Sequence, residues 1–540
     1  MSKNLSYEKG STDEPLLEET IGRNLRKTVE KYPDSEALVV KSQQVRLTYK
    51  KFYALVEDAA KGLLAMGTKK GDRVGIWSAN RYEWVILQYA TALTGAILVN
   101  INPAYRSTEL RYALHQSGIR FLFMAKNFRK TDYIEILNKV KNDCESLEKS
   151  IVIDQEWDGF LKDGSRISDE ELEAVSSSLD RHDAINIQYT SGTTGYPKGA
   201  TLTHHNILNN GYFIGERLGY SQNDRVCIPV PFYHCFGMVL GNLACTTHGS
   251  CMVIPGEAFD PELVMQTVGE EKCTSLYGVP MMFIAELNHP NFSKYDFSSL
   301  RTGIMAGSSC PETAMKQVQK DMNMHEVSIC YGMTETSPVS TQTFLNDPLD
   351  KRVSTVGKVH PHIEIKIIDP ETKEILPRNE RGELCTRGYS VMKGYWNNEE
   401  ASLGAIQDGW MHTGDLAEMD DDGYVKIVGR IKDMIIRGGE NISPFEIEEY
   451  IQTHDAIESV QVIGVPDFKY GEEVMAWVKL KNGDKIAEED LYNYCKGQIA
   501  TFKIPKYWKF VNEFPTTVTG KIRKVEMREI SSRELDLHGR

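Results

Sequence analysis

Short apolar runs and helical stripes alternate along most of this chain. Arg73–Trp77, Ala96–Ile101, Phe121–Met124 and Ile151–Ile153 have the length of buried strands. Thr48–Met66, Glu83–Leu93 and Ser107–Gln116 carry apolar residues at helical spacing, the first opening on a threonine cap and stopping at Gly67. An earlier stripe, Leu16–Tyr32, predicts a helix that ends at the turn Pro33-Asp34-Ser35. Strand-like runs return at Ala184–Ile187, Arg225–Pro231, Ser250–Ile254, Ser275–Val279, Gly303–Ala306 and Val327–Tyr331. Apolar runs separated by helices predict an α/β fold whose parallel or mixed sheet is covered on both faces. The charged span Ser165–Asp183 reads as a solvated connection.

The pattern changes towards the C-terminus. Gly382–Thr386 and Gly423–Val428 alternate between turn residues, which suggests a small antiparallel or barrel-like unit. Beyond it, Pro444–Gln452 and Glu488–Gln498 read as helices, and Val460–Val465 and Val474–Lys481 as strands. That is a small α+β domain, and 540 residues are more than one core accommodates.

In open α/β sheets the ligand sits at the carboxyl ends of the strands, so the loops there carry the chemistry. Tyr189–Ala200 reads Y-T-S-G-T-T-G-Y-P-K-G-A, with three glycines, several hydroxyls and one lysine. Glycines let backbone N–H groups turn inward as an anion nest, and Lys198 adds a point charge for phosphate oxygens. A helix is expected at Thr203–Asn210, its N-terminus near the loop. The string is not a Walker loop, because Lys198 follows Pro197 and precedes Gly199. Other strands lead into Pro231–Gly237, Met305–Pro311 and Tyr331–Thr336. Further on come Thr413-Gly414-Asp415, the run Gly429–Ile442 and Thr519-Gly520-Lys521.

Composition narrows the partners. Acidic residues, 76, outnumber basic ones, 62, for a net charge of −14 and a pI near 5.5. No nucleic-acid surface is expected, and an anionic substrate must be met by local cations. Ten cysteines show no C-x-x-C pair and no metal spacing, which points to reduced thiols and the cytoplasm. No apolar run is long enough to span a bilayer. The sequence leaves monomer and homo-oligomer both open.

Together these strings resemble the adenylate-forming superfamily of acyl-CoA synthetases, peptide-synthetase adenylation domains and luciferases, over roughly Ala37–Lys524. Lys432–Pro444 and Phe502–Tyr507 are most similar to medium-chain fatty acyl-CoA synthetases. The resemblance implies an N-terminal domain over residues 1–429, holding ATP and the acyl pocket, and a mobile C-terminal domain over 430–540 with its hinge near Lys432. It implies that Thr190, Ser191, Gly192, Thr193, Thr194, Gly195 and Lys198 cradle the phosphates of ATP, with Thr194 and Lys198 taking part in catalysis. Ala306, Gly307 and Ser308 would run along the adenine, with Tyr331, Gly332 and Met333 beside it. Thr334 would contact the α-phosphate and Glu335 would hold Mg²⁺. Asp415 and Arg430 would bind the ribose. Phe232, Phe236, Met238, Val279 and Met333 would line an acyl-tail pocket, with His234 at the carboxylate. Arg437, Gly438 and Gly439 would border the pantetheine of CoA, and Lys521 would swing in to meet the carboxylate and the α-phosphate.

The resemblance therefore implies an ATP-dependent acyl-CoA synthetase that forms an acyl-adenylate and pyrophosphate, then passes the acyl group to CoA. Phe232 to Gly237 contains no acid to pair with a substrate amine, which disfavours amino-acid activation. A ligase for a short, branched, aromatic or thioether acid stays open, as does transfer to a carrier protein.

Overall fold

A computed structural model describes residues 4–190, 197–308, 310–438, 440–481, 484–516 and 522–535. Its internal contacts divide the chain into two compact units. The larger comprises Glu8–Ile365 and Cys385–His412; the other comprises Met1–Tyr7, Lys366–Leu384 and Thr413–Arg540. The segments 366–384 and 413–429 thus group with the C-terminal part, whereas the boundary at 430 concerns which part moves and is taken up below as a proposal.

Two sheets build the larger unit. One has seven strands in the order Gly394–Tyr395, Lys198–Thr203, Ala184–Thr190, Ile97–Ile101, Arg73–Trp77, Ile119–Met124, Lys149–Val152. The other has nine, with six parallel strands from Glu326–Gly332 to Glu36–Val40 at its centre and antiparallel strands at its ends. Helix Tyr82–Thr94 is buried along every position from Glu83 onward, because it carries almost no polar face. One apolar cluster joins it to Val74 and Ile76 of the seven-stranded sheet and to Val226 and Met252 of the nine-stranded one. The expected mixed sheet covered by helices is the observed architecture.

Three local expectations are corrected. The span Ser165–Asp183 is not all connection: Asp169–Ser177 is a helix, capped reciprocally by Ser168 and Glu171, which buries Leu172 and Ser176. The first helix runs Ile21–Lys31, because the Thr20 side chain accepts from Arg23 N and sets its start. Most consequentially, Lys198–Thr203 is a strand, antiparallel to Ala184–Thr190, and the helix begins only at His204. The helix N-terminus therefore lies roughly 20 Å of extended chain beyond Lys198 and contributes no dipole to the loop.

In the smaller unit, Gly471–Leu480 pairs with Ile457–Asp467, Ile435–Arg437 and Tyr507–Phe510. Alternation along this strand buries Val474, Ala476 and Val478 with Ile447 and Leu491 of two helices. Met475 and Trp477, on the opposite face, pack with Met527 of the last helix, Lys524–Glu534.

Candidate active site

The strand pair Ala184–Thr190 and Lys198–Thr203 sets Thr190 opposite Lys198, so the glycine-rich string is the loop of a hairpin. Ser191, Gly192, Thr193, Thr194 and Gly195 of that loop lie outside the described residues, as do Gly439 and Lys521. The two residues at the loop's base are well placed. Thr190 Oγ1 donates to Glu335 Oε1 at 3.2 Å. Tyr395 Oη donates to the same oxygen at 2.9 Å, and its ring lies 5.1 Å from Lys198 Nζ. Glu335 is only 5 % exposed. Burial, followed by the Glu335 carboxylate, pushes the Tyr395 phenol well above its ordinary value, so it stays a donor.

Sequence reasoning missed Tyr395. Its place follows from a two-residue strand, Gly394–Tyr395, which pairs with Ala200 and Thr201 far back in the chain. The string Lys393-Gly394-Tyr395-Trp396 shows an aromatic after a glycine but not its partner.

Glu335 comes from a short 3₁₀ turn, Thr334–Thr336, after strand Glu326–Gly332. Gly332 is required there: a Cβ would stand 1.7 Å from Pro338 O of the returning strand. Thr336 N donates to Met333 O at 2.8 Å, and Thr336 Oγ1 to Pro338 O at 2.6 Å, which closes the turn and leaves Thr334 and Tyr331 half-buried. Ala306, Gly307 and Ser308 follow the neighbouring parallel strand Thr302–Met305. Gly307 takes φ +93°, and the position of its absent Cβ is 3.2 Å from Val279 Cγ1. A candidate nucleotide loop and a candidate tail-pocket residue thus adjoin.

The tail-pocket residues separate by burial. Phe236, Val279 and Met333 are half-buried, and Phe236 packs on Tyr277 with ring centroids 5.7 Å apart. Phe232 and Met238 are wholly enclosed: Phe232 packs on Trp84, and the Met238 sulfur accepts from Asn100 Nδ2 at 3.2 Å and Gln188 Nε2 at 3.0 Å. His234 is half-buried beside the Tyr233 ring. Phe236–Leu243 is a π-helix, a form frequent at functional sites.

In the smaller unit, Asp415 and Arg430 are partners in an antiparallel ladder, with Arg430 Nε 2.9 Å from Asp415 Oδ1. Lys432 sits exposed in a 3₁₀ turn, Ile431–Asp433, where partial desolvation, then the Arg430 cation, lowers its pKa below the ordinary lysine value. Arg437 is engaged by Glu473 through two hydrogen bonds of 2.8 Å, and Gly438 N donates to Tyr470 O. Its guanidinium thus anchors the loop, so a ligand contact at Arg437 competes with a nearly buried carboxylate.

Comparison with known proteins covers almost the whole chain. Residues 25–396 match the model of the AMP-binding enzyme family, and residues 446–521 that of the AMP-binding enzyme C-terminal domain. YngI of Bacillus subtilis (strain 168), whose name gives it as a candidate acyl-CoA synthetase, is 49 % identical over 535 residues, covering 95 % of this chain and 97 % of that protein. The mitochondrial medium-chain acyl-CoA ligase ACSF2 of Danio rerio is 44 % identical over 554 residues, covering 98 % of this chain and 91 % of its own. Among solved structures, the anthranilate CoA ligase AuaEII in complex with anthranoyl-AMP superposes with a TM-score of 0.85 at 26 % identity, covering 97 % of this chain and 99 % of that one.

Proposed function

The chain belongs to the AMP-binding enzyme family and is an ATP-using acyl-CoA synthetase, and from that premise we propose how its residues divide the reaction and which acid it takes. In the first half-reaction the carboxylate of the acid attacks the α-phosphorus of ATP and pyrophosphate leaves. In the second, the CoA thiol attacks the acyl carbonyl, loses its proton and displaces AMP.

Thr190, Lys198 and the hairpin loop between them take the phosphates, and Lys198 balances charge as pyrophosphate departs. Ala306 to Ser308 and Tyr331 to Thr334 take the adenine and α-phosphate, and Asp415 with Arg430 takes the ribose. Glu335 fits a divalent cation: it is a hard carboxylate held by two neutral donors, with no basic side chain paired to it among the described residues. Mg²⁺ bound there would neutralise phosphate charge. Lys521 acts on adenylation alone, because it belongs to the part proposed to move about Lys432. Arg437, Gly438 and Gly439 border CoA, and His234 faces the carboxylate of the acid.

The acid we propose is a medium-chain fatty acid. The observation that carries this is the 44 % identity, over nearly the whole chain, to a relative named as a medium-chain acyl-CoA ligase. The half-buried apolar Phe236, Val279 and Met333 suit an alkyl tail. Each buried CH₂ contributes about 0.8 kcal/mol, so affinity rises several-fold per carbon until the tail meets the pocket floor. A panel of acids from acetate to palmitate, scored by AMP release with and without CoA, tests the reading. An optimum at intermediate length and dependence on CoA are expected; a clear preference for acetate, or a rise continuing to palmitate, overturns the acid. Turnover without CoA but with a carrier protein overturns the acceptor.

The compartment we propose is the cytoplasm, on the ten unpaired cysteines. Among the described residues no helix is long and apolar enough to cross a membrane. The ACSF2 relatives are named as mitochondrial, which makes that organelle the rival location.

A further inference from the structure

Two opposite charges, Glu335 and Lys198, lie within reach of one tyrosine without pairing with each other. Tyr395 Oη donates to Glu335 Oε1 at 2.9 Å, while its ring lies 5.1 Å from Lys198 Nζ. No ion pair joins Lys198 to Glu335 among the described residues, although both meet the same tyrosine and a nearly buried carboxylate is a natural partner for an ammonium. Left together in a weakly solvated site, two such groups would collapse onto each other, and both would be lost to a ligand.

Tyr395 is itself held firmly. Its N–H donates to Ser402 Oγ at 2.8 Å, and its strand pairs with Ala200 and Thr201. The neighbouring Trp396 N donates to Gly199 O at 2.7 Å, next to Lys198, and Met392 N donates to Glu335 O at 2.9 Å. One short segment therefore touches both the lysine strand and the glutamate turn. The phenol and Thr190 Oγ1 share a single carboxylate oxygen, and Oε2 has no hydrogen bond among the described residues.

We propose that Tyr395 is a positioning residue that keeps Lys198 and Glu335 apart: its hydroxyl pins Glu335 Oε1 and leaves Oε2 for a cation, and its ring holds the Lys198 ammonium for phosphate. The inference rests on the reading of Glu335 as the cation ligand and of Lys198 as the phosphate lysine. It adds a division of labour within one side chain, since a phenyl ring can do the second task but not the first.

Calorimetric ATP binding, with EDTA and again with saturating Mg²⁺, separates the two tasks without turnover. Glu335→Gln should remove most of the strengthening that Mg²⁺ gives; if it removes none, the reading of Glu335 itself fails. With that control in place, Tyr395→Phe should keep the metal-free affinity and lose roughly tenfold of the Mg²⁺ strengthening, the scale of one hydrogen bond to a charged group. Tyr395→Leu should also weaken metal-free binding, because Lys198 falls onto Glu335. Adding Glu335→Gln to Tyr395→Leu should then restore metal-free binding, since no carboxylate remains to capture the lysine. A merely structural tyrosine would give no such rescue. Wild-type Mg²⁺ strengthening in Tyr395→Phe, or a double variant no better than Tyr395→Leu, overturns the proposal.

Discussion

Arg430 Nε sits 2.9 Å from Asp415 Oδ1, and the two residues face each other across an antiparallel strand pair. The carboxylate side chain is 9 % exposed and the guanidinium 38 %, so water screens the pair and it adds little to stability, about 0–1 kcal/mol. Its chemistry is separable from that small contribution. Asp415→Asn keeps the shape and removes the charge that would receive two ribose hydroxyls. We expect KM for ATP to rise roughly tenfold, as for losing a hydrogen bond to a charged group, with little change in melting temperature. A fall in melting temperature that tracks the lost activity would refute the ribose assignment.

Glu286 gives a pH prediction away from the site. It lies on helix Pro280–Leu287, is 1 % exposed, and its Oε2 has no hydrogen-bond partner among the described residues. Burial raises its carboxyl pKa well above the ordinary value, so the folded chain holds a proton that the unfolded chain releases. Between those two pKa values the folded state binds more protons, and stability from this group falls as pH rises. Glu286→Gln keeps the shape without the proton. The variant should melt with the parent near the ordinary carboxyl pKa of about 4.3 and above it at neutral and alkaline pH. Melting curves across that range check the sign; a variant less stable than the parent at alkaline pH defeats it.

Periodicity revealed what depends on near neighbours. The strands Arg73–Trp77 and Ile97–Ile101 and the helix Tyr49–Ala65 were legible because their burial is written in their own residues. Lys198–Thr203 was not, since Lys-Gly-Ala-Thr-Leu-Thr has weak strand character and is a strand only between Ala184–Thr190 and Gly394–Tyr395. The helix Asp169–Ser177 was hidden by its charge, although Ser168 and Glu171 spell a capping box. The same limit applies at the site. Thr190, Lys198 and Glu335 stand in recognisable strings, whereas Tyr395 acts through a pairing some two hundred residues away in the chain, which no local pattern encodes.

Gly332 tests how tightly the glutamate turn is built. A Cβ at this position would stand 1.7 Å from Pro338 O, an atom of backbone that cannot rotate away. Gly332→Ala must therefore part the strand from its return and shift Glu335, at a cost of about 1–3 kcal/mol typical of overpacking. Metal-free ATP binding should fall, because Tyr331 to Thr334 are proposed to take the adenine and α-phosphate, and the strengthening by Mg²⁺ should be lost on top of that, because the same turn carries Glu335. Calorimetry with and without Mg²⁺ measures both. A Gly332→Ala variant that keeps the parent's full ratio of affinities with and without Mg²⁺ would show that the turn does not set the cation site.

Lys432 carries the last prediction. It sits in the 3₁₀ turn Ile431–Asp433, where Asp433 is tied to Arg528 at 3.0 Å. Lys432 is exposed, and partial desolvation together with the neighbouring Arg430 cation lowers its pKa, so Lys432→Ala removes a cation held against another and should be mild in both half-reactions. Proline acts differently. It fixes its own φ and drives the preceding residue, Ile431, out of the helical region into extended conformations. The turn seen here needs Ile431 helical, so Lys432→Pro disfavours this state and leaves the chain fewer ways to pass between two. If the segment is the pivot, the half-reactions come apart. One, measured by pyrophosphate exchange or by thioester formation from supplied acyl-adenylate, should stay near the parent rate while the other drops by orders of magnitude. A folded proline variant that makes acyl-CoA at the parent rate, or that loses both steps equally, places the pivot elsewhere.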